Sequence, residues 1–316
     1  MDIKSKIILI SGPTASGKSE QADKLAKKIG GEIINADSMQ VYKEFKFLTA
    51  RPTFKEQKNI KHHLYGFLSI KNKFSTGQWL KITFKIIKNI QKRNKIPILV
   101  GGTGLYFKAL IDGLVRIPKI SINKRKKVTK LQKKLGQNNF YKKLLQIDPK
   151  IVNLVNSNDV QRSIRAYEVK NYTKKSLVEW YKDTKPLFLK EDFIKIYLDC
   201  PRELLLNRIQ NRVKKMLPDG IKEVKKTKSI KVPLTNSSNK IIGVNEIKNH
   251  LEKKLNKDQT IELYKQQATL DEEIIANLLS ANERAKEVLL VVHDRYHALW
   301  NLRIAETGPQ QVLWQK

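Results

Sequence analysis

Eight residues near the start constrain the fold more than any others: Gly12-Pro13-Thr14-Ala15-Ser16-Gly17-Lys18-Ser19. They match G-x-x-x-x-G-K-[ST], and both flanks are the ones that pattern requires. Before them, Ile7-Ile8-Leu9-Ile10 is a continuous apolar run rich in β-branched residues, which reads as a strand buried on both faces in a parallel sheet. After them, Ala22, Leu25, Ala26 and Ile29 recur at three and four, so a helix is predicted over 19–29, stopped by Gly30-Gly31. A strand, a glycine turn and a helix in this order make a phosphate-binding P-loop. The glycines let successive amides turn inward, where those N–H groups and the positive end of the helix hold a diphosphate. Lys18 adds a point charge, and the Ser19 hydroxyl is an oxygen ligand for Mg²⁺. The predicted diphosphate site is therefore Gly12, Thr14, Ala15, Ser16, Gly17, Lys18 and Ser19, with Ser19 on the metal.

A second strand, Glu32-Ile33-Ile34-Asn35, completes a βαβ unit. Residues 78–93 read as a helix, and Ile96-Pro97-Ile98-Leu99-Val100 as another buried strand that ends at Gly101-Gly102. From Pro118 to Pro186 apolar positions recur at helical spacing between many lysines, so this stretch reads as a helical insertion. Strand returns at 194–198 and helix at 202–216, while 227–240, with Pro, Asn and Ser and no periodicity, reads as a loop. The expected fold class is α/β, a P-loop NTPase-like parallel sheet with flanking helices and a helical insertion domain. The expected organisation is 1–117 for the first part of the core, 118–190 for the insertion, 191–268 for the rest of the core and 269–316 for an atypical, helical tail.

A phosphate site does not say what is done to the phosphate. A motor or switch NTPase needs a carboxylate at the end of an apolar strand, and Ile96–Val100 ends in Gly-Gly-Thr instead. Asp199 does follow a strand, but Cys200-Pro201-Arg202-Glu203 and a helix with Arg208 and Arg212 come next, as in the lid of small P-loop kinases. Four residues apart, the two arginines share a helix face and can reach one phosphate cluster, although Arg208 reads equally as a solvated surface side chain. Asp37 follows the second strand, where strand ends converge on the ligand crevice of such sheets, and reads as a general base or a helix cap. Gly101-Gly102-Thr103-Gly104 stands at another strand end and permits close approach of backbone to a ligand. The single cysteine, Cys200, cannot form an internal disulfide and reads as a buried thiol in a reducing cytoplasm. The N-terminal apolar stretch is too short for a signal segment, so no membrane association is expected.

Lys and Arg number 63 against 30 Asp and Glu, a formal net charge of +33. Such a field attracts polyanions and makes nucleic acid the first partner to test, although an AT-rich genome accounts equally for a chain full of Lys, Ile and Asn. The charge is unevenly spread. Residues 269–316 hold five basic and seven acidic side chains, a net of −2, so the preceding 268 residues carry +35. In that tail Ile274, Leu278, Ala281, Ala285, Val288 and Val292 space out at three and four, which predicts an amphipathic helix.

In order along the chain stand GPTASGKS, ADSMQVY (36–42), TARP (49–52), HHL (62–64), VGGTGLYFKAL (100–110), NDVQRSIRAYEV (158–169) and RVKKMLPDG (212–220). Over about residues 6–268 the chain thereby resembles the tRNA dimethylallyltransferases. The resemblance implies a cytoplasmic, monomeric enzyme that transfers a dimethylallyl group from dimethylallyl diphosphate. The acceptor would be the exocyclic amine of the adenine 3′-adjacent to the anticodon, in tRNAs that read U-initial codons. It implies Asp37, Thr103 and Arg212 as catalytic residues: Asp37 accepting an amine proton, Thr103 beside the reacting centre, and Arg212 with Lys18, Ser19 and Mg²⁺ neutralising the departing pyrophosphate. It further implies tRNA contacts at Asp37, Ser38, Gln40, Gln161, Arg162 and Arg165. Gln40 meets either the flipped adenine or the backbone of its own loop, and Arg165 either RNA or Glu168. His62 and His63 read as structural or substrate-adjacent. The tail departs from the family, which has a basic, aromatic run where this chain reads Leu270-Asp271-Glu272-Glu273, so weakened tRNA binding is expected. That departure fits a frameshift, a fusion, a remnant or a tail packed on the core. Two other readings of the whole stay open, a P-loop small-molecule kinase and a non-catalytic tRNA-binding remnant.

Overall fold

The apolar runs become the inner strands of one parallel sheet. In the computed structural model, which describes residues 3–57, 60–233, 236–280 and 289–293, β1 (Ile7–Ser11) leads through the glycine turn into α1 (Lys18–Ile29) and back to β2 (Gly31–Asn35). The short α2 (Phe54–Gln57) and β3 (His62–His63) follow, then α3 (Thr76–Lys92), β4 (Ile96–Val100) and α4 (Gly104–Ile111). Three helices come next, α5 (Ile122–Ile147), α6 (Val160–Thr173) and α7 (Leu177–Lys182). The chain then returns to the sheet with β5 (Phe193–Asp199), α8 (Arg202–Thr227), α9 (Val244–Leu251), α10 (Lys257–Ser280) and β6 (Leu289–His293).

The strand order is β3-β2-β4-β1-β5-β6, and every pairing is parallel. The chain leaves β1 to one side for β2, β3 and β4 and to the other for β5, so the carboxyl end of β1 lies at the switch point where open α/β sheets take their ligands. All five residues of β2 and of β4 are buried, which is why β4 reads as a continuous apolar run and not as an alternating one. Ala22 and Ala26 of α1 pack on Ile8, Ile10 and Ile98 of the sheet. A capping box between Ser75 and Gln78 starts α3, whose Trp79 is fully buried and stacks on Tyr106 with ring centroids 4.2 Å apart. Among the described residues no helix is long and apolar enough to cross a membrane.

Helix α8 runs well past the expected end at Met216, through Pro218 to Thr227. A proline inside a helix removes one backbone hydrogen bond, but here packing holds both sides of it. Leu217, Gly220 and Val224 are buried, and a Cβ on Gly220 would stand 2.6 Å from Leu48 Cδ2. One turn later the Glu223 carboxylate accepts from Lys46 N (2.7 Å), Phe47 N (2.8 Å) and Leu48 N (3.1 Å), which fixes the loop leading into TARP.

The chain divides into two compact units, one reaching to Lys108 and resuming at Leu189, the other Ala109–Phe188. The second unit has its own core of Phe140, Leu144, Ala166, Val169 and Leu177, built from α5, α6 and α7. Gly136, at φ 72°, breaks α5 into two helical pieces. The tail is not helical throughout. Ile274 and Leu278 lie in α10, Ala281, Ala285 and Val288 lie outside the described residues, and Val292 sits in β6, paired with Leu198 of β5. Leu289-Leu290-Val291-Val292 is a strand-forming run, and the open edge of β5 takes it up, so backbone pairing overrides the three-and-four spacing.

Candidate active site

At the end of β1 the chain passes Gly12 at φ 150°, Ala15 at φ 62° and Gly17 at φ 88°. A Cβ on Gly12 would come 2.5 Å from Leu198 O of β5, so only glycine lets the loop lie this close. Ala15 holds a left-handed conformation that costs a residue with a side chain about 1–3 kcal/mol. Ser16 Oγ is buried with no hydrogen-bond partner among the described residues. Such a group costs about 1–3 kcal/mol unless something satisfies it. Lys18 Nζ donates to Gly12 O (2.7 Å) and to Pro13 O, which holds its ammonium across the loop. Ser19 lies exposed in the first turn of α1.

The second wall starts from Asn35, fully buried at the end of β2. Asn35 Oδ1 accepts from Asp37 N (2.8 Å), and its Nδ2 donates to Asp37 O (2.9 Å). Asp37 Oδ1 in turn accepts from Met39 N (2.8 Å) and Gln40 N (3.3 Å), closing a turn and not a helix. Its other oxygen makes no hydrogen bond among the described residues. Thr103 Oγ1 accepts from Ser38 N (2.9 Å) and lies 3.3 Å from Ser38 Oγ, while Thr103 N donates to Ala36 O (3.2 Å). Gly101 makes this approach possible, since a Cβ there would stand 2.2 Å from the Ala36 carbonyl carbon. Gln40 Nε2 donates to Thr49 O (3.0 Å), and the residue also lines the cleft.

A cleft of about 710 Å³ joins these walls. Thr14, Ala15, Gly17, Lys18, Ser19, Asp37, Ser38, Gln40, Thr103 and Arg212 line it, while Gly12 and Ser16 lie buried beneath the loop. The cations of the lining are Lys18, Arg208, Arg212 and Lys240, against the carboxylates of Glu20 and Asp37, a balance that suits a polyanion. Burial lowers the pKa of Arg212, and the negative charge of Asp37 opposes that shift. Tyr264 donates to Leu48 O (3.2 Å), and burial pushes its phenol up to about 12.

A family profile described as IPP transferase matches residues 40–269. The tRNA dimethylallyltransferase of Pelagibacter ubique is 58% identical over 264 residues, which is 83% of this chain and 84% of that one. The protein of the same name from Rickettsia canadensis is 40% identical over 260 residues, 82% of this chain and 80% of its own. The chain belongs to the IPP transferase family. Solved structures agree in fold. A eukaryotic dimethylallyltransferase described as acting on tRNA superposes with a TM-score of 0.78 at 28% identity, covering 92% of this chain and 74% of that one. The full-length tRNA isopentenylpyrophosphate transferase of Bacillus halodurans gives 0.63 at 28% identity, covering 92% and 90%. The IPP transferase match stops at residue 269, where the composition turns from basic to acidic.

Not every anticipated residue of this IPP transferase joins the cleft. Gln161, Arg162 and Arg165 stand on α6 in the second unit. There Arg162 pairs with Asp159 (3.4 Å) and Arg165 with Glu168 (3.3 Å), the structural alternative raised for Arg165. His62 Nδ1 donates to Ile60 O (2.8 Å) and its Nε2 lies 3.1 Å from Asp23, while His63 Nε2 lies 2.7 Å from Glu32. Sequence reasoning passed over Asn35, Tyr65, Lys240 and Tyr264. Tyr65 directly follows the HHL motif, which was the available signal; the others lie outside any motif of recognised chemistry.

Proposed function

We propose that this chain transfers a dimethylallyl group from dimethylallyl diphosphate to the exocyclic amine of the adenine 3′-adjacent to the anticodon, in tRNAs that read U-initial codons. The names of its relatives support the tRNA and the prenyl group, and the cleft supports the chemistry. The P-loop amides and Lys18 hold the diphosphate. As the bond between its oxygen and the prenyl carbon breaks, Lys18, Arg208 and Arg212 neutralise the charge gathering on pyrophosphate, which is the main catalytic contribution. The amine nitrogen bonds to the prenyl carbon and gives its proton to the unshared oxygen of Asp37. Thr103 holds Ser38, and through it the loop that carries Asp37. The donors suit Mg²⁺: the exposed Ser19 hydroxyl is a hard oxygen ligand beside the diphosphate loop, and the bound ion would screen the phosphate charge.

One observation carries this reading: Asp37, with an oxygen unclaimed by the fold, lines the same cleft as the P-loop and Arg212. The test is mass spectrometry of tRNA nucleosides from a host that lacks its own transferase and expresses this chain. Dimethylallyl-adenosine should return in tRNAs reading U-initial codons; tRNA that stays unmodified would count against the proposal.

A further inference from the structure

Tyr65 lines the cleft without a role in the chemistry above. It stands between Leu64 at φ 64° and Gly66 at φ 55°. A leucine held in the left-handed region carries strain of about 1–3 kcal/mol, which persists only where the surroundings fix it. The fixing groups are specific. Asn35 Nδ2, the nitrogen that holds Asp37 O, also donates to Leu64 O at 3.1 Å. Gly66 N donates to Gln40 O at 2.9 Å, and the Asn35 carbonyl accepts from buried Trp79 Nε1 at 3.0 Å. One buried amide thus locks the Asp37 turn and the Tyr65 turn in a fixed relation.

The Tyr65 ring packs against the apolar cluster of the sheet and against His62, with centroids 5.6 Å apart. Its hydroxyl has no hydrogen-bond partner among the described residues. Burial, with the carboxylates of Asp37 and Asp23 nearby, raises the phenol pKa, so the hydroxyl stays a donor. The cleft therefore offers an acceptor, the Asp37 carboxylate, and a donor, the Tyr65 hydroxyl, on one rigid support.

We infer that the Tyr65 hydroxyl donates a hydrogen bond to a ring nitrogen of the acceptor adenine, N1 or N7, while Asp37 faces the exocyclic amine. The inference rests on the function proposed above. Adenine presents an amine donor flanked on either edge by such a nitrogen acceptor. Guanine presents a carbonyl oxygen in place of the amine, which the Asp37 carboxylate repels, and an N–H in place of N1, which leaves a Tyr65 donor there without an acceptor; N7 is an acceptor in both bases. Tyr65 is thereby a base-orienting residue, and in the N1 pose it also rejects guanine.

The test compares wild type and Tyr65→Phe, which keeps the ring and its packing, with a thermal melt to check folding. Single-turnover kcat/KM is measured on anticodon stem–loop RNAs carrying adenine, 1-deazaadenine or 7-deazaadenine at the reacting position. Wild type should lose about tenfold on one of the two analogues. Tyr65→Phe should lose about the same on adenine and no longer distinguish adenine from that analogue. The inference is overturned if Tyr65→Phe keeps full kcat/KM on adenine, or if both proteins lose equally on each analogue. A wild-type chain that transfers nothing to the adenine RNA overturns the proposed function and this inference together; failure confined to the Tyr65 comparisons overturns the inference alone.

Discussion

Asp37 commits one of its two oxygens to structure. Oδ1 accepts from Met39 N and Gln40 N, and the other oxygen is left to the cleft. Asp37→Asn keeps an oxygen for the turn but cannot take a proton. It should lower the single-turnover rate at saturating substrates by about 10²- to 10⁴-fold, while tRNA affinity in a titration stays near that of wild type. Loss of affinity with the rate preserved would make Asp37 a binding group. Lys18→Ala and Arg212→Ala remove positive charge from the cleft, where the proposed leaving group gains its negative charge. Each should slow transfer by about 10²- to 10³-fold, with weaker use of dimethylallyl diphosphate; unchanged prenylation at limiting diphosphate would take both residues out of the site. The place of these residues in the cleft was legible because a short motif carried each of them. Asn35 was not, since a buried amide that ties two turns together is defined by partners 2 and 29 positions away in the chain and leaves no local pattern.

Elements were readable where one physical signal dominated. Ile96–Val100 is a continuous apolar run and forms a strand with those bounds, and α1 stops at Gly30 in the left-handed conformation. The reading failed where tertiary contacts outvoted local signals. The helix expected to end at residue 216 continues through Pro218, because buried Leu217, Gly220 and Val224 carry it onward, and Leu289–His293 takes strand pairing over helical spacing. The extension of α8 has a function, because it delivers Glu223 to three backbone amides of the 46–48 loop. Glu223→Ala should leave those amides without their acceptor and destabilise the fold by about 1–3 kcal/mol. It should also weaken substrate use, because Leu48 and Thr49 line the cleft. Urea denaturation and KM for dimethylallyl diphosphate check both effects; wild-type stability would show that water replaces the carboxylate without cost.

Charge acts on the whole molecule in two ways. Glu32, nearly fully buried, bonds Arg93, His63 and Lys95. Chiefly through the Arg93 hydrogen bonds its carboxyl is held at about 2, against an ordinary 4.5. The unfolded chain takes up this proton first as pH falls, so the contribution is complete above about pH 4.5 and is lost progressively toward pH 2. Denaturation across that window should show stability falling with pH, and Glu32→Gln should flatten the fall; an unchanged slope would remove Glu32 as its cause. The second effect concerns RNA, since residues 1–268 carry +35 and the tail −2. tRNA affinity should fall steeply with salt, and a basic run in place of the residues from Leu270 onward should raise both affinity and slope. Equal affinities and parallel slopes in filter binding would show that the first 268 residues suffice.

The central claim is that this cleft moves a prenyl group to tRNA and not a phosphoryl group to a small molecule. The purified chain, at a concentration above that of the tRNA and with Mg²⁺ present, is given dimethylallyl diphosphate labelled in the prenyl group or ATP labelled in the γ-phosphate, each with and without tRNA. Prenyl label should enter the tRNA, in the wild type and far more slowly in Asp37→Asn, and the γ-phosphate should reach no acceptor. Phosphoryl transfer without prenyl label, or tRNA bound in full and left unlabelled, would contradict the account.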